Sequence, residues 1–333
     1  MLYNYLGNSE IRVSAISFGA WQIGDPSFWG ENDEKEAEKA VKFAIDMGVN
    51  LFDTAEMYGS GESEKKLGKF IGRENREKIL IATKVSPQNC EPSKLKNSCE
   101  ESLRRLGTDY IDIYQVHWPP REVAFADVYL VMEKLQKEGK IRYIGLSNFG
   151  QEDLREWIES GGKAVSNQIG YNLLFRSPEY KIIPSCIKHK IGILVYMPLM
   201  QGLLTGKWEK IEDIPMLRRR TRHFSKIRPG TRHGESGCEM LTMETVQAIK
   251  ALSEHLEIPM STLSIAWLIW QRGISSIIVG CRSIEQLKNN IDSVEMKLDP
   301  EILALLNEIT YPLKKYMGEN SDMWENEKNS RIR

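Results

Sequence analysis

The sequence predicts an α/β fold in which eight parallel strands close into a (β/α)8 barrel, and three observations carry that expectation. Short β-rich runs alternate with longer amphipathic stretches, the runs number eight, and the alternation resumes beyond the one long irregular segment. The 333 residues, 41% hydrophobic and 27% charged, would serve for two modest domains or one large barrel. The unbroken repeat favours one.

Taken in order, residues Leu2–Val13 hold Leu6-Gly7-Asn8-Ser9 between β-type residues and read as an N-terminal hairpin over residues 1–13. The eight runs are Val13–Phe18, Val49–Asp53, Ile79–Lys84, Tyr110–His117, Ile141–Ser147, Ala164–Ile169, Ile193–Tyr196 and Ile274–Val279. Strands joined through helices lie parallel, because a parallel pair needs a long crossover. Asp33–Met47 places Ala37, Ala40, Val41, Phe43 and Ala44 at helical spacing with charges on the opposite face. Ser93–Leu106, Gln151–Ser160 and Ser283–Ile291 follow the same pattern, with Ser283 where an N-cap belongs. Residues 206–239 form a long Arg-rich loop, of a length that is usually functional or disordered. Residues 311–333 read as a polar, partly mobile tail that Met323-Trp324 would anchor. The expectation is one TIM barrel domain over residues 1–310, with extended loops at its C-terminal face.

Composition excludes several function classes. With 45 Lys+Arg against 46 Asp+Glu the formal charge is -1, so there is no general attraction to nucleic acid or to an anionic membrane. There is no run of 18 apolar residues, and Met1-Leu2-Tyr3-Asn4-Tyr5 lacks the basic start and apolar stretch of a secretory signal. Five cysteines, odd in number, widely spaced and without C-x-x-C, suit a reducing cytoplasm rather than a disulfide framework or structural zinc. His189, His223, His233 and His255 show no metal-ligand spacing, so no metal is expected.

In such a barrel chemistry sits at the C-terminal ends of the strands. Asp53, Lys84 and His117 end three successive runs, and Tyr58 follows Asp53 by five residues. Lys and Asp are rarely buried unless paired, so these predict a buried, mutually satisfied polar cluster. Gly59-Ser60-Gly61 looks like the opening of a dinucleotide-binding glycine loop, but Glu64 occupies the third glycine position, and with Glu62 it would repel a pyrophosphate.

The segment Gly48-Val49-Asn50-Leu51-Phe52-Asp53-Thr54-Ala55-Glu56-Met57-Tyr58-Gly59, with Glu62-Ser63-Glu64 and Leu67-Gly68, resembles the signature of the aldo-keto reductases. Ile81–Val85, Tyr114–Pro119, Gly145–Phe149, Tyr196–Leu199 with Gly202-Leu203-Leu204, and Ile278–Ser283 with Gln286 and Asn290 match that family in order. The resemblance runs over residues 1 to about 310 and implies hydride transfer between NADP(H) and an aldehyde, ketone or sugar carbonyl, or the reverse. A free tyrosine, with a pKa of about 10, is a poor acid at neutral pH. The Lys84 ammonium is expected to lower it, with Asp53 holding Lys84, so that Tyr58 serves as general acid/base. His117 is expected to orient and polarise the substrate oxygen.

By the same resemblance Ser147, Asn148 and Gln168 bind the nicotinamide carboxamide, and Tyr196 stacks on its ring. Gly19, Ala20, Trp21 and Asp53 join the cofactor site at the ends of the first two strands. Pro198, Leu199, Gln201, Gly202 and Leu203 line the pyrophosphate. Gly280, Arg282, Gln286, Asn289 and Asn290 match the adenosine end, where Arg282 beside a helix N-terminus suits a 2′-phosphate and favours NADP over NAD. Some relatives carry Lys where Gly280 stands, which leaves that contact to Arg282. In the Arg-rich loop, Lys207 and Arg222 are candidates near the cofactor. Trp21, Trp29 and Trp118 are candidates for the substrate wall. The partners expected are a small carbonyl or alcohol substrate, with no nucleic acid and no membrane. Two rival readings stand beside this: a cofactor-binding regulatory subunit resembling potassium-channel β subunits, and an isomerase or lyase on an unrelated barrel.

Overall fold

Tyr3–Tyr5 (β1) and Arg12–Ser14 (β2) pair antiparallel as the expected hairpin, in a computed structural model that describes residues 1–333 apart from Asn32 and Arg282. The hairpin closes the N-terminal end of the barrel. Leu6 and Val13, both fully buried, pack with Leu51, Ala82, Ile113 and Leu194 inside it, each contributing about 1.5–3 kcal/mol by burial. Gly7, at φ +60, lets the turn press against the barrel wall, where a Cβ would stand 2.5 Å from the Val165 carbonyl oxygen.

Among the described residues eight parallel strands form the closed barrel. They are Ile16–Gly19 (β3), Leu51–Asp53 (β4), Leu80–Val85 (β5), Ile111–Val116 (β6), Ile141–Ser147 (β7), Ser166–Gly170 (β8), Gly192–Tyr196 (β9) and Ile274–Gly280 (β10), and β10 pairs with β3 to close the ring. Helices on the outer face bury the other side of each strand, so β6 is buried at every position. Helix starts follow their caps: Asp33 accepts from the backbone N–H of Lys35 and Glu36, Glu91 from Ser93 and Lys94, and Ser283 from Gln286.

The first expected run is divided. Val13 belongs to the hairpin and the barrel strand begins at Ile16, because Val13 packs into the barrel's end rather than into its wall. The expected boundary at 311 also moves. A helix runs over Pro300–Met317, burying Leu306, Thr310, Leu313 and Met317, a helical stripe that the polar composition obscured. Residues 318–333 then fold back across the barrel mouth, with Met323 fully buried. The Arg-rich loop is irregular, as expected, with short 3-10 turns at Ile211–Asp213 and Met216–Arg218 before the helix Glu239–His255. Among the described residues no helix is long and apolar enough to cross a membrane.

Candidate active site

Parallel register carries the polar residues to one level at the C-terminal mouth. Asp53 pairs with Gly19 on one side and Ala82 on the other, Lys84 with Gln115, and Ser147 with Gln168. Lys84 is fully buried, and its Nζ donates to Asp53 Oδ1 at 2.6 Å, to the Thr54 carbonyl at 2.9 Å and to the Tyr58 hydroxyl at 3.3 Å. All three ammonium donors are therefore engaged. Asp53 Oδ2 accepts from Gln168 at 2.7 Å and from Gln115 at 3.1 Å. Asp53 and Lys84 thus satisfy one another as expected, with Gln115 as a further member, whereas His117 stands beside them without a bond to either.

Tyr58 opens a tight turn, Tyr58–Gly61, in which Gly59 and Ser60 both take left-handed backbone. At Gly59 the helical turn Trp21–Gly24 lies so near that a Cβ would stand 1.9 Å from the Gly24 carbonyl oxygen. Trp21 stacks on Tyr58 at 5.3 Å between ring centroids, while His117 meets Tyr58 edge-on at 5.7 Å.

The electrostatics correct one expectation. Burial raises the Tyr58 pKa and outweighs the nearby Lys84 charge, which lowers it, so the net displacement is upward. Burial works against the Lys84 ammonium, yet Asp53 and Tyr58 together hold its pKa above the usual value. Burial, reinforced by the Lys84 and Arg331 charges, drives His117 well below the ordinary histidine range. His117 is a neutral imidazole at pH 7, and its buried Nδ1 has no hydrogen-bond partner among the described residues.

A cleft of about 610 Å³ opens above this cluster. Of the expected cofactor residues, Gly19, Trp21, Asp53, Ser147, Asn148, Gln168, Tyr196, Pro198, Leu199, Gln201, Gly202, Lys207, Gly280, Gln286, Asn289 and Asn290 line it. Asn148, at φ +61, donates to the His117 carbonyl at 3.0 Å and accepts from the Tyr196 hydroxyl at 2.7 Å. Three expected residues lie elsewhere. Ala20 is fully buried, its N–H donating to the Asp53 carbonyl, and Leu203 is packed in the core. Arg222 turns away from the cleft to Glu235 at 3.0 Å and to the Asn320 carbonyl, tying the loop to the C-terminal segment. Arg282 lies outside the described residues.

Within the same loop, Arg218 lines the cleft instead. Its guanidinium stands 5.0 Å from the Trp29 ring centroid and donates to the Gln201 carbonyl at 3.1 Å. Trp29 and Trp118, the candidates for a substrate wall, line the cleft with Trp21. Trp324 completes that wall, edge-on to Trp118 at 5.8 Å and stacked beside Tyr196 at 6.4 Å. Its segment is fastened by Arg331, which grips Asp322 with two bonds of 2.8 and 2.9 Å and lies 3.7 Å over Trp118. The Met323-Trp324 pair was the available signal, and it marked an anchor rather than a wall.

The model of the aldo/keto reductase family matches residues 15–310. The uncharacterized oxidoreductase YrpG of Bacillus subtilis is 31% identical, over 93% of this chain and 96% of the relative. An NADH-specific methylglyoxal reductase of Escherichia coli is 29% identical, over 93% and 98%. An aldo/keto reductase of Klebsiella pneumoniae, solved with NADP and acetate, superposes with a TM-score of 0.72 at 28% identity, covering 92% of this chain and 94% of its own.

Proposed function

The chain belongs to the aldo/keto reductase family, and on that premise we propose that it is an NADP(H)-dependent oxidoreductase reducing an aldehyde, ketone or sugar carbonyl to the alcohol, or running the reverse. The observation that carries this reading is Lys84, pinned by Asp53 and bonded to the Tyr58 hydroxyl, beside a neutral His117 at the floor of an open cleft.

The cleft suits a nicotinamide dinucleotide. Polar groups of Ser147, Asn148 and Gln168 gather at its floor, and Gly202, at φ +104, allows backbone to approach a pyrophosphate closely. Bound there, the dinucleotide supplies or takes up the hydride. Tyr58, kept neutral by burial, donates its hydroxyl proton to the substrate oxygen, and Lys84 stabilises the phenolate that remains. Asp53 keeps the ammonium in place. His117 presents an N–H to the same oxygen and fixes the carbonyl against Tyr58. In the oxidative direction Tyr58 phenolate takes the proton back.

The preference for NADP rests on Arg282, by resemblance, and the NADP-bound neighbour supports it. The NADH-specific relative makes the opposite preference the outcome to test against. A cytoplasmic setting fits five free cysteines, all buried, with burial pushing the thiols of Cys90, Cys99, Cys186 and Cys281 up to about 12.

The test is a tryptophan-fluorescence titration of purified protein with NADPH and NADH, followed by an aldehyde and sugar screen with no partner present. NADPH preference that collapses in Arg282→Ala, with turnover lowered by at least about a hundredfold in Tyr58→Phe, is the expected result. Binding without turnover would favour the regulatory-subunit reading, and binding of neither dinucleotide would remove the oxidoreductase reading.

A further inference from the structure

Gln115 sits fully buried on β6, paired in register with Lys84. Its Nε2 donates to Asp53 Oδ2 at 3.1 Å, while its Oε1 accepts from Gln168 Nε2 at 3.3 Å. Gln168 Nε2 donates to that same Asp53 oxygen at 2.7 Å. On β7 the residue paired with Gln115 is Gly145, where a Cβ would stand 2.8 Å from Gln115 Cγ. The glycine thus leaves room for the long amide to lie across the barrel.

A carboxylate can only accept, so Asp53 decides which end of each amide faces it. Both N–H groups of Gln168 are then engaged, one by Asp53 and one by Gln115. What Gln168 has left for a molecule in the cleft is its carbonyl oxygen. Asp53 divides its duties by atom, Oδ1 holding Lys84 and Oδ2 holding the two amides.

We propose that Gln115 is a positioning residue for cofactor recognition: with Asp53 it locks the Gln168 amide carbonyl-outward, so that the site takes a carboxamide N–H and rejects a carboxylate at the same ring position. This rests on the reading of the cleft as a nicotinamide site. An unlocked amide would turn and offer its N–H to the carboxylate; the locked one meets it with a second bare oxygen. The lock also joins cofactor recognition to the carboxylate that orients the Lys84–Tyr58 pair.

The experiment compares the affinities of NADP and of its analogue bearing a carboxylate in place of the carboxamide, by fluorescence titration. It uses the wild type, Gln115→Met, Gln168→Leu and the double variant, with thermal unfolding confirming a folded state. Gln115→Leu replaces the Met variant should methionine overfill the space. The preference for NADP should drop by about tenfold in Gln115→Met, the worth of one modest hydrogen bond, and the same change should have no effect in the Gln168→Leu background. An unchanged preference in Gln115→Met, or a loss that persists without Gln168, overturns the proposal and leaves Gln115 a packing residue. Failure of the wild type to bind either dinucleotide is a separate result, seen in the first titration, and overturns the nicotinamide reading together with the proposal.

Discussion

Lys84 Nζ stands 3.3 Å from the Tyr58 hydroxyl while its other two donors are fixed on Asp53 and the Thr54 carbonyl, so the ammonium cannot swing away from the phenol. Tyr58→Phe removes the hydroxyl and nothing else, and should lower kcat for aldehyde reduction by roughly 10²–10⁴, the usual worth of a positioned acid. NADPH affinity should hold. Because the Tyr58 pKa is raised, reduction should stay flat through neutral pH and fall only as pH climbs through that elevated value and the proton is lost. A Tyr58→Phe protein that reduces aldehydes within about tenfold of the wild-type rate in single-turnover stopped flow would refute the assignment. Lys84→Met leaves Asp53 buried without its cation and should also lower stability, by about 3–5 kcal/mol.

The two arginines of the long loop should separate cleanly. Arg218 lines the cleft beside Gly202, whereas Arg222 is held by Glu235 and the Asn320 carbonyl. Arg218→Met should weaken NADPH binding by about tenfold and flatten its salt dependence, because one charge-assisted contact to phosphate is lost. Arg222→Met should leave affinity near wild type and lower stability by about 1–3 kcal/mol, the cost of losing the bonds that a buried guanidinium makes to Glu235 and the Asn320 carbonyl. Equal effects of both on NADPH affinity in calorimetric titration would contradict this division.

What the sequence made legible is what has a period. Seven of the eight strands coincide with expected runs to within two residues at either end, and a strand of known direction tells which residue stands at its mouth. That is how Asp53, Lys84 and His117 could be grouped. What has no period stayed hidden. Nothing local distinguishes Arg218 from Arg222 in an irregular loop, since only the path of the chain decides which one meets the cleft. Trp324 reaches the site from a distant segment, held there by the Asp322–Arg331 pair. Gln115 was visible as a residue, but its link to Gln168 runs from β6 to β8, past β7, and depends on the side-chain clearance at Gly145.

Trp324 supplies a removable wall. Its ring meets Trp118 and Tyr196 but makes no contact with the Lys84–Tyr58 pair among the described interactions. An aromatic pairing contributes about 0.5–1.5 kcal/mol beyond area burial. Trp324→Ala should therefore raise KM for benzaldehyde-like substrates by roughly 2- to 10-fold, with kcat near wild type and methylglyoxal-sized substrates little affected. A matching loss for large and small aldehydes, or a loss confined to kcat, would show that the ring shapes the catalytic geometry rather than the pocket.

His223 should make the fold acid-sensitive without touching the site. It is fully buried, its Nε2–H donates to the Leu174 carbonyl at 2.9 Å, and its Nδ1 accepts from the Thr221 hydroxyl at 3.1 Å. The neutral ring satisfies both partners, and a second ring proton would face the Thr221 oxygen in a desolvated pocket. Burial pushes its pKa from 6.5 down to about 4. Below about pH 6.5 the unfolded chain therefore binds a proton that the folded chain refuses, so stability falls as pH falls, until the folded ring also titrates near the lower value. The loss over that window is on the order of 3 kcal/mol, with a limiting slope of about 1.4 kcal/mol per pH unit. His117 and His233 are displaced in the same direction and add to the trend. Urea unfolding between pH 7 and 4 should show His223→Gln starting less stable than wild type but losing one proton's worth less of slope. Parallel stability curves for the two proteins would mean that His223 titrates alike in the folded and unfolded chains.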